Sequence, residues 1–392
     1  MSKQIDKNEK KEKQKKSKVK FWKKGWWRSP KVIRAAVIVV LAIIFFFVSF
    51  FWVPGDIYYR IKETFTFTAQ ETASVNLTVL LPSSGPNQVV FDPQVEWPGT
   101  WQISEEGRLR VLSLEASIPA GETVKAVIVY RANLSQGTAQ WLDEPVTSAD
   151  TDASDEVQSG APEIIAQAEL LQVAGDETQT LRRLFAFTRD YLNTPQNPAE
   201  IEDESALTVF RTGIGGELGR ANLLAALSRA NGLPARVISG QRLPVTVPLI
   251  PVTTLGAFPG SNGRWNEVFS NDVWGLVDPN ASNGLFRPAA VGWSDGRHLV
   301  FAEADREADV LQSRLEKAGG EGQWRASSAE SLRYVAWADV DQEQLDLTPK
   351  VSVMTTWDAR WVMLISLVLI ALMIVWLMEE KRPRKNLSAK EK

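Results

Sequence analysis

The stretch from Arg211 to Gly240 (RTGIGGELGRANLLAALSRANGLPARVISG) constrains the fold more than any other part of the chain. Gly213, Gly215 and Gly216 make a turn, because glycine takes positive φ without a steric penalty. Leu218, Leu223, Leu224 and Leu227, with alanines between them, then place apolar residues at helical spacing. Gly232 followed by Pro234 stops that helix. Ala235 to Gly240 reads as a short buried strand. The local code is a turn that presents residue 217 at a helix N-terminus, then a helix, then a strand.

Two uncharged apolar runs bracket the rest. Ala35 to Val53 spans 19 residues and Trp361 to Met378 spans 18. Each is long enough to cross a hydrocarbon core of about 30 Å as a helix. A buried core helix rarely lacks a polar face. No A-x-A cleavage site follows the first run to mark a signal peptide. Transmembrane helices are therefore expected over 32–53 and 357–378. Residues 1–34 carry fourteen Lys and Arg against three acids, and Lys381, Arg382, Arg384 and Lys385 follow the second run. Both ends are thus expected in the cytoplasm of a two-pass plasma-membrane protein, with residues 54–356 extracytoplasmic. Trp22, Trp26, Trp27, Trp52, Trp361 and Trp376 fit interfacial anchors.

The tails carry +11 (1–34) and +3 (379–392), so the chain's −3 leaves −17 for 54–356. So acidic a surface argues against nucleic acid as a partner, because that binding runs on Lys and Arg contacts to phosphate. The basic N-terminal tail is expected to face anionic lipid. The chain contains no cysteine, which removes disulfides, thiolate metal sites and thiol catalysis together. With an outward-facing region, this points to a bacterial cell envelope.

In order, residues 1–31 are Lys-rich and expected to be disordered. From Thr64 to Leu134, short alternating segments such as Ser74 to Leu81 are separated by turns at 82–86 and Pro119-Ala120-Gly121. They indicate an antiparallel β-sandwich over 60–142. Residues 143–161 read as an acidic linker or mobile loop. Their spacing does not match an EF-hand, and neither metal nor cofactor is expected. Helices are expected at Glu163–Val173, from a cap at Asp176 through Leu192, and at Ser205–Phe210. A hairpin follows at Trp265–Phe269 and Val273–Val277, then a strand at His298–Phe301 and a surface helix at Asp305–Lys317. Late strands are expected at Leu332–Trp337 and Val351–Met354.

Ala221 to Gly240 resembles, nearly residue for residue, a run found in transglutaminase-like domains, part of the superfamily of papain-like cysteine enzymes. Gly263-Arg264-Trp265-Asn266-Glu267-Val268 and Trp274-Gly275-Leu276-Val277-Asp278-Pro279 resemble that family's second half, H-A-W-x-E-V followed by W-x-x-x-D-P. The resemblance implies an α+β fold: a transglutaminase-like core over 162–305, preceded by the β-sandwich and followed by an extension over 306–356. It also implies a cysteine nucleophile, a histidine base and an aspartate orienting the base. Those positions here hold Glu217, Gly263 and Asp278. The resemblance therefore implies a degenerate domain with no catalytic residues for acyl transfer.

Glu217, at a helix start, is expected to be a dipole-stabilised carboxylate, a poor nucleophile and a poor acid. Trp265, Glu267 and Trp274 match framework positions and read as packing around the cleft. His298, the one histidine, reads as a strand or turn residue beyond the hairpin that would carry the base. The leading functional expectation is a binding or scaffolding module with an envelope or membrane-protein partner. The alternatives are a hydrolase using Glu217 and Asp278 as a carboxylate pair, or a structural membrane subunit.

Overall fold

The computed structural model describes residues 55–358 apart from 107, 142–143, 195–202, 245–248, 256–260, 281–290, 304–322, 328–332 and 342, together with 365 and 368–372. The chain divides into two compact units, 51–361 and a second made of 1–50 with 362–392. The expected membrane helix at 32–53, most of that at 357–378, both tails and the expected helix at 305–317 lie outside the described residues. No helix among the described residues is long and apolar enough to cross a membrane.

The larger unit opens with seven strands: β1 (Gly55–Ala69), β2 (Ala73–Leu81), β3 (Gln88–Glu96), β4 (Thr100–Glu106), β5 (Leu109–Ile118), β6 (Thr123–Thr138) and β7 (Gln140–Trp141). Among the described residues, a 3-10 turn (Ser148–Asp150) and four α-helices follow: α1 (Pro162–Leu171), α2 (Glu177–Tyr191), α3 (Ala206–Thr212) and α4 (Glu217–Ala230). Next come β8 (Ala235–Arg242), β9 (Val252–Leu255), β10 (Ser261–Ser270), β11 (Val273–Val277), β12 (Trp293–Asp295) and β13 (His298–Glu303). The last strands are β14 (Gln323–Ser327), β15 (Tyr334–Asp341) and β16 (Leu345–Asp358).

Two sheets form the sandwich. One runs β12-β6-β1-β16-β9, with β3 also on β6, and the other runs β14-β15-β2-β5-β4. Their inner faces share one core, in which Ile57, Phe65 and Phe67 of β1 meet Leu77 and Val79 of β2 and Leu112 and Leu114 of β5. Alternation along β1 is regular, with inward residues buried and outward ones exposed. The sandwich thus begins at Gly55 rather than at residue 60.

Glu63 occupies an inward position where the pattern calls for an apolar residue. Its carboxylate is satisfied inside the core: Tyr130 Oη donates at 2.7 Å and Arg333 Nη2 at 2.7 Å. The Arg333 guanidinium lies 4.2 Å over the Phe301 ring.

The sequence reads 306–356 as a separate extension, but its described strands, β14, β15 and β16, complete the sandwich. β15 pairs with β2, and β16 lies against β1 from Ile57↔Asp358 to Ala69↔Leu345. Such pairing joins opposite ends of the chain and leaves no local signature. The acidic stretch 143–161 is not a free linker either. Val157 is buried with the helices, Ala206 N–H donates to Glu156 O, and Arg229 Nη1 donates to Asp152 O.

The third sheet, β13-β8-β10-β11-β7, carries the helices. α4 lies on it with Ala221 to Ser228 buried, and α1, α2 and α3 pack around α4. β10 and β11 turn tightly through Asn271 and Asp272, both at positive φ (50° and 62°), as a two-residue hairpin of type I′ requires.

Candidate functional site

α4 begins where the glycine turn delivers it. Gly213 has φ 67°, and Gly216 caps the helix. The orphan N–H groups of this helix start are met by a neighbouring carboxylate. Glu204 Oε1 accepts from Gly216 N at 2.7 Å and from Gly219 N at 3.3 Å. A Cβ at 216 would fall 2.5 Å from that oxygen, so glycine leaves room for the cap. The positive helix end is thereby neutralised by Glu204 and does not fall to residue 217.

This changes the expectation for Glu217. Burial raises its carboxyl above the ordinary range, reinforced by Asp278, and the opposing pull of Arg242 and the Arg264 N–H is too small to reverse it. Glu217 is not the dipole-stabilised carboxylate that its position at a helix start suggests.

Asp278, at the end of the hairpin, is 2 % exposed and holds no ring from position 263. Its Oδ1 accepts from Arg242 Nη2 at 2.5 Å and from Asn280 N at 3.0 Å. Its Oδ2 lies 3.0 Å from His298 Nε2. Arg242 Nη1 also lies 3.7 Å from Glu217 Oε1, so one guanidinium links both carboxyl groups. On its other side, His298 Nδ1 faces Asp295 Oδ1 at 3.2 Å. Burial disfavours the imidazolium, but Asp295 and Asp278 outweigh it and raise the His298 pKa to about 9. At neutral pH this ring carries its proton and cannot accept another.

His298 is therefore at the site, contrary to the sequence reading. β13 pairs with β8 so that His298 stands opposite Arg242, next to the hairpin rather than beyond it. Arg242 and Asn280 are equally part of the site. Asn280 Nδ2 donates to Glu217 O at 3.1 Å and Arg264 O at 2.8 Å, tying the helix start to β10.

Position 263 is closed as well as empty. Gly263 stands opposite Gly240 in the β10–β8 ladder, and the fully buried Trp265 indole lies against both. A Cβ at 263 would fall 2.9 Å from Trp265 Cε3 and closer still to Cζ3. The indole also meets the His298 ring edge-on, with centroids 4.9 Å apart.

The framework residues hold this arrangement from behind. Glu267 and Arg236 are direct cross-strand partners, with Arg236 Nε 2.7 Å from Glu267 Oε2. Arg108, from the sandwich, donates to Glu267 Oε2 at 2.7 Å and also pairs with Glu144. Burial opposes ionisation of Glu144, yet Arg236 and Arg108 hold its carboxyl below the usual range. The Arg236 guanidinium sits 4.2 Å over Trp274, whose Nε1 donates to Glu144 O at 2.9 Å. Asn266 Nδ2 donates to Ala221 O at 2.9 Å and fixes α4 to the sheet. Beside the site, a cavity of about 20 Å³ lies between residues 83–88 and Arg108, Glu267, Ser294 and His298, room for one or two waters.

In its chemistry the site joins carboxyl groups (Glu217, Asp278, Asp295) to two cations (Arg242, His298) in a continuous chain. Among the described residues, no group of three or more His, Asp or Glu is placed to hold a metal ion.

A family model described as the transglutaminase-like superfamily matches residues 166–279. No curated protein matches the chain. Among solved structures, a candidate cysteine protease from Cytophaga hutchinsonii is 13% identical, covering 78% of this chain and 94% of its own, with a TM-score of 0.47. The periplasmic domain of TgpA from Pseudomonas aeruginosa is 16% identical, covering 57% and 87%, with a TM-score of 0.29. A candidate protease from Parabacteroides distasonis is 12% identical, covering 81% and 73%, with a TM-score of 0.27.

Proposed function

Because residues 166–279 are a transglutaminase-like superfamily domain, we propose that the chain is a pseudoenzyme of that group: a membrane-anchored binding or scaffolding module in a cell envelope. The observation that carries this reading is the state of Asp278. A triad needs a nucleophile, a neutral base beside it and an aspartate that orients that base. Here both Asp278 oxygens are engaged by Arg242 and His298, position 263 has no side chain, and position 217 is a carboxylic acid.

The anchoring belongs to the same reading. It rests on the apolar runs at 35–53 and 361–378 and on their basic flanks, which orient residues 54–356 to the outside. The basic tail would lie on anionic lipid and the partner would be another envelope or membrane protein.

The test is an activity assay on full-length protein purified in detergent. Hydrolysis of a glutaminyl peptide and incorporation of an amine should both stay at the uncatalysed rate. Turnover that disappears on heating the sample, in either assay, would overturn the reading.

A second reading has one observation in its favour. Glu217 is partly exposed and its carboxyl is raised, as suits a general acid. The matching carboxylate would be Asp278, whose lone pairs already serve Arg242 and His298. Hydrolysis of cell-wall glycan that is lost in both Glu217→Gln and Asp278→Asn would favour this reading over the first.

A further inference from the structure

The outer face of the β12-β6-β1-β16-β9 sheet carries a charge arrangement that works against its own stability. Arg60 and Arg131 stand directly opposite each other on β1 and β6, and both are exposed. Like charges in that register destabilise an antiparallel pair. Lys62 follows Arg60 on the same face, Lys125 stands opposite Thr66, and Lys350 stands opposite Thr64. Among the described residues, no carboxylate is ion-paired to any of these five cations. They are gathered in a region whose net charge is −17. The acids of this face, Asp56, Glu96 and Asp346, lie at its margins.

Large apolar side chains are interleaved with the cations. Phe91, 49% exposed, stands opposite Arg131, and Leu255, 70% exposed, stands opposite Lys350. Val89 and Tyr58 are exposed on either side of Asn133. Neither the core nor the site explains these residues.

The geometry points to a docking face for a protein that presents an acidic surface. Phe, Tyr and Arg are the residues that interface centres enrich, and they supply the apolar anchors that a purely ionic ligand would not need. The surrounding lysines supply charge complementarity, which acts on encounter and on partner choice. Strand spacing gives this face about 25 by 20 Å, the scale of one side of a small to standard protein interface. A second copy docked here about a two-fold axis would set cations against cations, so the partner is a different protein. The inference rests on the reading of the unit as a binding module and places its partner away from the degenerate cleft.

The test uses the full-length chain in intact cells that make it. A photo-crosslinking residue replaces Phe91, Leu255 or, as a control, Leu170, which is 75% exposed on α1. One protein species should be captured from Phe91 and from Leu255, and not from Leu170. Arg60→Gln combined with Arg131→Gln should reduce capture about tenfold, with no fall in melting temperature because a repulsion is removed. Changing the captured protein's acidic contact residues to lysine should rescue capture by an Arg60→Glu, Arg131→Glu chain. Capture that ignores the charge changes, equal capture from Leu170, adducts with lipid or with the chain itself, or no adduct at all would overturn the proposal. Catalytic turnover in the glutaminyl-peptide assay would remove the pseudoenzyme reading without altering any of these outcomes.

Discussion

Replacing Gly263 by alanine tests whether position 263 is sealed by the Trp265 indole. The added Cβ would fall 2.9 Å from Trp265 Cε3 and closer still to Cζ3. The indole lies flat across the Gly263–Gly240 pair, where a Cβ built at Gly240 would likewise fall 2.9 Å from Cζ2, and the ring is fully buried with the His298 ring against it. Overpacking of this kind costs about 1–3 kcal/mol. For a unit spanning residues 51–361 that is a fall in melting temperature of roughly 1.5–5 °C. Thermal unfolding of the full-length protein, followed by circular dichroism, reads it directly. Gly85→Ala is the matched control, since nothing lies within 4 Å of a Cβ there. If Gly263→Ala melts with Gly85→Ala and wild type, the ring is not locked and the argument fails. On the same grounds, Glu217→Cys combined with Gly263→His should show no turnover of glutaminyl peptides.

Further consequences follow from the buried ion pairs. Glu267→Ala should cost about 1.5–3 kcal/mol in urea unfolding, because it removes the charged hydrogen bonds from Arg236 and Arg108 while Glu144 still pairs with both. Arg333→Met alone should cost about 3–5 kcal/mol by leaving Glu63 unpaired in the sandwich core, whereas Glu63→Leu with Arg333→Met should recover most of the loss. The pH dependence comes from His298. Its folded pKa of about 9 lies above the unfolded value near 6.5, so its contribution is complete below about pH 6.5 and is lost as pH rises through 9. At most about 3 kcal/mol is at stake, and the alkaline fall in melting temperature should shrink in His298→Gln.

The sequence was most readable where contacts are local. The glycine turn, α4, β8 and the β10–β11 hairpin follow from spacing and turn residues. The same motifs fix which residues stand at 217, 263 and 278. The ion-pair chain around Asp278 was not readable. Arg242 and His298 meet only because β13 pairs with β8 across more than fifty residues of chain, and Asp278 reaches both from the end of the β10–β11 hairpin. Glu204 hid for the same reason: its role as the cap of α4 depends on how α3 packs. β1 escaped through Glu63, an acid at an inward position whose partners Tyr130 and Arg333 are remote in sequence. The strands after residue 330 read as an extension because their partners, β1 and β2, lie at the start of the unit.

The central claim is that Asp278 is locked in an ion-pair chain instead of orienting a base. The chain has a single histidine, so one imidazole spin system in the NMR spectrum of the full-length protein reports on it without ambiguity. His298 should titrate near pH 9, with both ring nitrogens protonated at pH 7. A midpoint at or below the ordinary histidine value of about 6.5, or a neutral tautomer at pH 7, would contradict the account and return His298 to the role of an available base.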